Sequence, residues 1–258
     1  MLLAIDIGNT NTVIGVFRDG ALVDHLRIES RRAATEDEYG ALLTTLLERR
    51  GMAVADARSA IIGSVVPPLT DVFAALCRRW LKVEPMVVGP GVRTGMPILY
   101  EQPREVGADR IVNAIAAFSR VGRETIVVDF GTATTFDVIS AKGEYLGGVI
   151  VPGIGISADA LFARASKLPR VEIRRPERVI GRTTITAMQS GLIYGYVGLV
   201  EGLVARIGNE LGGNPHVIAT GGLAPLIAAE TQCIHAVDEF LTLEGLHMVW
   251  ARNQEVGR

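Results

Sequence analysis

An internal repeat constrains this chain more than any other feature. Residues 2–28 read as three strands, over 2–6, 12–17 and 21–28, the last two joined at Asp19-Gly20. That dipeptide is a strong hairpin signal because both of its residues tolerate positive φ. The layout recurs further on: a β-branched run at 125–128 leads into Asp129-Phe130-Gly131, a strand follows over 134–139, and Lys142-Gly143 turns into another over 145–151. Asp6-x-Gly8 and Asp129-x-Gly131 stand 123 positions apart in a chain of 258, about half its length. That spacing is too long for a solenoid period and predicts a duplicated domain, each copy opening as strand, DxG turn and hairpin.

Helical signals fill the space between. Thr35-x-x-Glu38 is a capping box ahead of Tyr39, Leu42, Leu43, Leu46 and Leu47, and Gly51 ends that helix. A strand over 60–66 stops at Pro67-Pro68, a helix covers 69–81, and a strand follows at 86–88. The helix expected over 105–120 is apolar at Ile111, Val112, Ile115, Ala116 and Phe118 and runs into the second DxG strand. This sets the junction at 120–124 and divides the chain into lobes 1–120 and 121–258. In the second lobe helices are expected over 156–165, 185–209, 225–229 and 243–253, with strands at 216–219 and 234–237. The long helix carries Gly191, Gly195, Gly198 and Gly202 at intervals of three or four. Each glycine weakens a helix by about 1 kcal/mol relative to alanine, so the stripe predicts a backbone packed close by, in a partner subunit or within the lobe.

Bulk properties narrow the function classes. A chain that is 48% hydrophobic and 21% charged suits a well-buried α/β protein and argues against disorder. With 26 basic and 28 acidic residues there is no long-range field for polyanions, and the short arginine clusters lack interleaved aromatics, so neither nucleic acid nor an anionic membrane is expected as a partner. Cys77 and Cys233 form no CxxC, which points to a reducing, cytoplasmic setting without a disulfide framework or zinc. The start meets Asp6 too early for a signal-peptide core, and stretches such as 146–156 are broken by glycine and proline. No apolar run of the ~20 residues needed to span a bilayer is expected. His25, His216, His235 and His247 are scattered and are given no functional role.

The chemistry-bearing residues lie at the repeated turns. Asp6-Ile7-Gly8-Asn9-Thr10-Asn11-Thr12 sets a carboxylate at a strand end before a tight turn with exposed N–H groups. Alone it would pass for an ordinary polar hairpin turn. Such a turn can also hold phosphate oxygens while its carboxylate binds magnesium or the ion's waters, and two copies in duplicated lobes support a nucleotide clamp. Asp129-Phe130-Gly131-Thr132-Ala133-Thr134-Thr135 is the second copy, and Thr220-Gly221-Gly222-Leu223-Ala224 follows a strand and opens a helix. Glycines there let the backbone approach a flat ligand. No GxxxxGK[ST] occurs, which excludes a P-loop. Gly107-Ala108-Asp109-Arg110, taken singly, reads as helix capping with a surface ion pair.

Two DxG turns followed by a TGG turn resemble the phosphate and adenosine motifs of the actin-like ATPase superfamily. Together with the GADR segment, from the first residue to about Trp250, the chain resembles the type III pantothenate kinases. The resemblance implies an α/β fold of two duplicated actin-like ATPase (ribonuclease H-like) lobes with an interlobe active-site cleft. It implies phosphorylation of pantothenate by ATP with Mg2+, with potassium or ammonium as a monovalent cation. Asp6, Ile7, Gly8, Asn9, Thr10, Asn11, Thr12 and Val13 match the ATP phosphate loop, and Thr132 a further ATP contact. Asp129 matches the monovalent-cation ligand, while Asp6 is the candidate for Mg2+. Asp109 matches the proton acceptor, and Tyr100, Gly107, Ala108, Asp109, Arg110 and Thr184 match pantothenate contacts. Family members are homodimers, and the same is implied here with Thr184 near the subunit boundary. A catalytically silent regulator, or a kinase for another hydroxyl substrate, could share the same frame.

Overall fold

The structure, a computed structural model, describes residues 1–254. In chain order the first elements are β1 (Leu2–Ile7), β2 (Asn11–Arg18), β3 (Ala21–Glu29), α1 (Glu36–Glu48), β4 (Ser59–Ser64), α2 (Pro67–Leu76), β5 (Met86–Val87) and α3 (Ala108–Val121). They are followed by β6 (Thr125–Phe130), β7 (Ala133–Ile139), β8 (Tyr145–Pro152), α4 (Ile154–Arg164), α5 (Thr184–Leu211), β9 (His216–Thr220), α6 (Ala224–Ala228), β10 (Ala236–Val237) and α7 (Leu241–Gln254).

The duplication read from the two DxG openings is present in the strand order. One sheet runs β3-β2-β1-β4-β5, and the other, read from its opposite edge, runs β8-β7-β6-β9-β10. In each, the first strand of the triplet is central, antiparallel to the second and parallel to a later crossover strand. The register repeats as well: Asp6 faces Val13 and Gly63, and Asp129 faces Thr135 and Thr220. The central strands are apolar and almost wholly buried, as strands covered on both faces must be.

The chain divides into two units. The first comprises Met1–Met96, Tyr100–Ala116 and α7; the second comprises Pro97–Leu99 and Ala117–Phe240. Two features differ from the expected lobes of 1–120 and 121–258. The division falls inside α3, and α7 belongs with the first unit although it closes the second half of the sequence. Its buried residues Leu241, Leu243, Leu246 and Val249 pack on β1, β2 and β4. Small residues make the room: a Cβ on Gly63 would stand 2.9 Å from Leu246 Cδ2, one on Gly15 3.0 Å from Leu243 Cδ1, and one on Gly245 would strike the Val112 carbonyl. Each large aliphatic side chain buried this way contributes about 1.5–3 kcal/mol.

Local chemistry explains the other boundaries. Thr35 caps α1 through the Glu38 N–H, and Glu38 accepts from the Thr35 N–H at 2.8 Å, the reciprocal pair expected. The helix expected over 69–81 is α2 followed by a wider π-helical turn over Cys77–Leu81, closed by Lys82 at φ +59°. The helix expected from residue 105 begins at Ala108, because Pro103–Glu105 forms its own short 3-10 turn. α5 is the helix expected over 185–209. Its 28 residues are long and apolar enough, by length and composition, to cross a membrane, since glycine and alanine interrupt its hydropathy less than charges would. In the fold one side of it, with Leu192, Ile193, Tyr196, Val197 and Val200, lies in the core of the second unit.

Candidate functional site

In the first unit the phosphate-loop candidate is the turn between β1 and β2. It closes through the Gly8 N–H on the Asn11 carbonyl at 3.0 Å, and the Ser30 N–H donates to the Thr10 carbonyl at 3.0 Å. Asn9, Thr10 and Asn11 are exposed, while Asp6, Gly8 and Val13 are partly so. Ile7 and Thr12 are completely buried, the Thr12 hydroxyl 2.9 Å from Ser30 Oγ, so those two can offer a ligand their main chain only.

The GADR segment meets the same end of this sheet. The Val65 N–H, just beyond β4, donates to the Ile7 carbonyl at 3.1 Å. A Cβ on Gly107 would stand 3.2 Å from Val65 Cγ1 and only 2.5 Å from Asp109 Oδ1. Asp109 therefore folds back over Gly107, where only a glycine leaves it space, and both candidate acids of the first unit, Asp6 and Asp109, lie toward the C-terminal ends of β1 and β4. That is where open α/β sheets bind ligands. Asp109 Oδ1 accepts from the Arg110 N–H at 2.7 Å. Burial pushes the Asp109 carboxyl above the usual aspartate range, opposed by that hydrogen bond and by the Arg110 charge. Ala108 and Arg110 are themselves buried in the first turn of α3.

In the second unit Asp129 ends β6 beside the glycine pair that follows β9. Gly221 has φ +91°. A Cβ there would lie 2.7 Å from Asp129 Oδ1 and 2.7 Å from the Phe130 carbonyl oxygen. A carboxylate and a carbonyl oxygen converging on one small space form the donor set a hard cation takes, and a side chain at Gly221 would fill that cradle. Thr132 and Gly131 are exposed on the same turn. The start of α4 lies against it: a Cβ on Gly153, which caps that helix, would strike the Gly131 and Thr132 carbonyls. Tyr196 holds that approach by donating its hydroxyl to the Pro152 carbonyl at 2.6 Å, with Ser157 Oγ also 2.6 Å away.

Two candidates stand outside these clusters. Thr184 is the exposed first residue of α5, in a cavity of about 990 Å³ that also takes in Ser157, Leu161, Arg164, Met188 and Tyr196. Tyr100, partly buried, follows the short strap Pro97–Leu99. Among the described residues no group of three or more His, Cys, Asp or Glu forms a metal cluster. His247 stacks on Phe17 with ring centroids 4.6 Å apart, and His216 stacks on His235 at the same separation.

A family model described as type III pantothenate kinase matches residues 2–206, which include both DxG turns and the GADR helix. The chain belongs to the type III pantothenate kinase family. The type III pantothenate kinase of Myxococcus xanthus (strain DK1622) is 58% identical over 253 residues, covering 98% of this chain and 99% of that one. Among solved structures, a candidate Baf-family transcriptional activator from Campylobacter jejuni superposes with a TM-score of 0.62 at 19% identity, over 98% of this chain and 99% of that one. An inorganic polyphosphate/ATP-glucomannokinase from an Arthrobacter species (strain KM) superposes with a TM-score of 0.51 at 15% identity, over 98% of both chains. At such identities the structures bear on the fold alone, and that fold is the two-lobed actin-like ATPase and sugar-kinase architecture.

Sequence reasoning about this chain missed Gly153, Ser157, Tyr196 and Val65. Gly153 was visible only as a residue interrupting an apolar stretch. Val65 acts through its N–H on the Ile7 carbonyl and its side chain toward Gly107, a meeting for which a sequence carries no sign.

Proposed function

We infer that the chain transfers the γ-phosphate of ATP to the primary hydroxyl of pantothenate, giving 4'-phosphopantothenate in the first step of coenzyme A biosynthesis. The observation that carries the site assignment is the Asp109 carboxylate folded over Gly107 at the C-terminal ends of β1 and β4, in the family's GADR segment. Phosphoryl transfer depends on in-line placement and charge neutralisation more than on covalent help. Asp109 orients the pantothenate hydroxyl and accepts its proton, and a carboxyl held above the usual range is closer to the pKa such a base needs. Arg110 pairs two-pronged with the pantothenate carboxylate, a geometry lysine lacks. Tyr100, Gly107, Ala108 and Thr184 complete the substrate contacts.

The residues from Asp6 to Val13, with Thr132, hold ATP, the buried Ile7 and Thr12 through main chain alone. Asp6 would hold Mg2+ together with substrate phosphates, the usual mode for an ion bound by one or two carboxylates. Asp129, with the Phe130 carbonyl beside it, would hold potassium or ammonium. When bound, these ions supply positive charge beside the phosphates. The chain is read as a cytoplasmic homodimer with neither nucleic acid nor membrane as a partner. Support for the dimer comes from α5: among the described residues, nothing beyond the helix's own nearby backbone comes within 4 Å of a Cβ placed at Gly191, Gly195 or Gly198. The stripe at these three glycines thus faces outward, which favours a second copy over contact within the lobe as its explanation.

The test is direct. Purified protein with ATP, Mg2+, KCl and pantothenate should yield ADP and 4'-phosphopantothenate by mass spectrometry. Asp109→Asn should keep its fold and ATP binding while losing ~10²-fold or more in turnover. Full turnover in that variant would defeat the base assignment.

A further inference from the structure

Asp137 and Tyr145 are both fully buried in the second sheet, and neither belongs to the machinery described so far. Tyr145 donates its hydroxyl to Asp137 Oδ1 at 2.8 Å, and Thr135 donates to Oδ2 at 3.2 Å. A carboxylate removed from water is costly unless its oxygens are satisfied, so such a group is out of place as mere packing. The main chain of the same tyrosine has a second task. Its N–H donates to the Pro97 carbonyl at 2.8 Å, its carbonyl accepts from the Leu99 N–H at 2.8 Å, and Ile98 faces it in an isolated parallel bridge.

Tyr145 therefore carries the strap Pro97–Leu99 on the free edge of β8, the outermost strand of its sheet. The strap has little apolar hold of its own, since Pro97 is exposed and Leu99 is 56% exposed. The β7/β8 register also shifts next to this point, between Val138 and Ile139, with Gly147 at φ +129°. A bulge frees a strand end from the ladder's own alignment, so a side-chain bond is needed to fix where Tyr145 sits. The next residue after the strap is Tyr100.

We propose that Asp137 and Tyr145 are positioning residues for pantothenate: their buried hydroxyl–carboxylate bond fixes the start of β8, β8 holds the strap, and the strap sets Tyr100. The inference rests on the pantothenate reading above, in which Tyr100 touches the substrate. Tyr145→Phe keeps the ring and both main-chain bonds and deletes only the hydroxyl. Its KM for pantothenate should rise about tenfold while KM for ATP stays within about twofold. A merely structural bond would lower the melting temperature or the active fraction and leave both KM values alone.

Leu99→Pro supplies an independent arm, because it removes the strap's N–H donor at an exposed, extended position without touching the core. It should reproduce the selective rise in pantothenate KM. An unmoved pantothenate KM in both variants, or equal shifts in the two substrates, overturns the anchor while leaving the kinase reading intact. A wild-type protein that forms no phosphopantothenate overturns both.

Discussion

Replacing Gly221 by alanine adds one methyl group where two oxygens leave little room for it. The residue sits at φ +91°, in the left-handed region that L side chains seldom adopt. Holding alanine there costs about 1–3 kcal/mol. The new Cβ would stand 2.7 Å from both Asp129 Oδ1 and the Phe130 carbonyl oxygen. Ordinary carbon–oxygen contacts begin at about 3.3 Å, so each oxygen must retreat by roughly 0.6 Å. Phe130 is buried in β6 and its carbonyl cannot swing, so the Asp129 carboxylate gives way. Crowding of this kind adds about 1–3 kcal/mol, which sets a floor near 2 kcal/mol for the two effects together. At about 2–4 °C per kcal/mol for a chain of this size, the melting temperature should fall by at least ~4 °C. Because the displaced group is the proposed monovalent-cation ligand, the KCl concentration for half-maximal activity should also rise, measured at constant ionic strength against NaCl or Tris. A melt within a degree of wild type, together with an unchanged KCl requirement, would refute the geometry assigned to this turn.

Other outcomes follow from the same coordinates. Asp109 must be ionised to accept a proton and burial holds its carboxyl above 3.8, so kcat/KM should fall on the acid side with a midpoint above that value; a midpoint at or below it would contradict the assignment. A raised carboxyl contributes stability below its unfolded value of 3.8 and loses it as pH climbs through the folded one, so ionised Asp109 is a burden at neutral pH. Asp109→Asn should therefore melt at or above wild type at pH 7, with the gap closing as pH falls toward 3.8; a lower melt at pH 7 would count against it. Gly195→Leu should leave the monomer at least as stable, since among the described residues nothing beyond the helix's own nearby backbone is within 4 Å of its Cβ and leucine favours helix by about 0.8 kcal/mol over glycine, while light scattering should show loss of the proposed dimer. A variant still dimeric at the same concentration would move the interface away from α5.

Much of this architecture is legible because it is local. The two hairpins announce themselves at Asp19-Gly20 and Lys142-Gly143, and the α1 start at Thr35 and Glu38 is written in a capping pair whose geometry spans four residues. What resists reading is the choice of partner. The apolar residues of α7 say that it buries a face, but not on which sheet. That choice was made by Gly15 and Gly63, far upstream, which leave space for Leu243 and Leu246. The glycines of α5 were legible as a stripe within one helix, which continues through them to Leu211, but the sequence does not say which backbone packs against it. The candidate site divides the same way. Asp6, Asp129 and Asp109 stand in recognisable motifs, whereas Gly153 and Val65 matter through close approaches to Gly131, Thr132 and Gly107 that only the folded chain brings about.

The duplicated register also bears on why the two carboxylate turns differ in role. By strand pairing, Gly63 and the residues after it in the first unit occupy the place that Thr220-Gly221-Gly222 occupies in the second. In the first unit that crossover strand, β4, is followed by Val65, whose side chain packs toward Gly107 and so brings the start of the Asp109 helix to the end of β1. In the second unit β9 is followed at once by Gly221 at φ +91°, which brings backbone rather than a helix close to the Asp129 carboxylate and the Phe130 carbonyl oxygen. Related corners thus yield a wall that carries the proposed base and a cradle suited to a cation. Each can be undone separately: a glycine at position 65 removes the contact that seats Gly107, and a valine at position 221 fills the cradle. Val65→Gly should therefore weaken pantothenate turnover while leaving the potassium requirement unchanged, and equal loss of both would show that the two corners do not act separately.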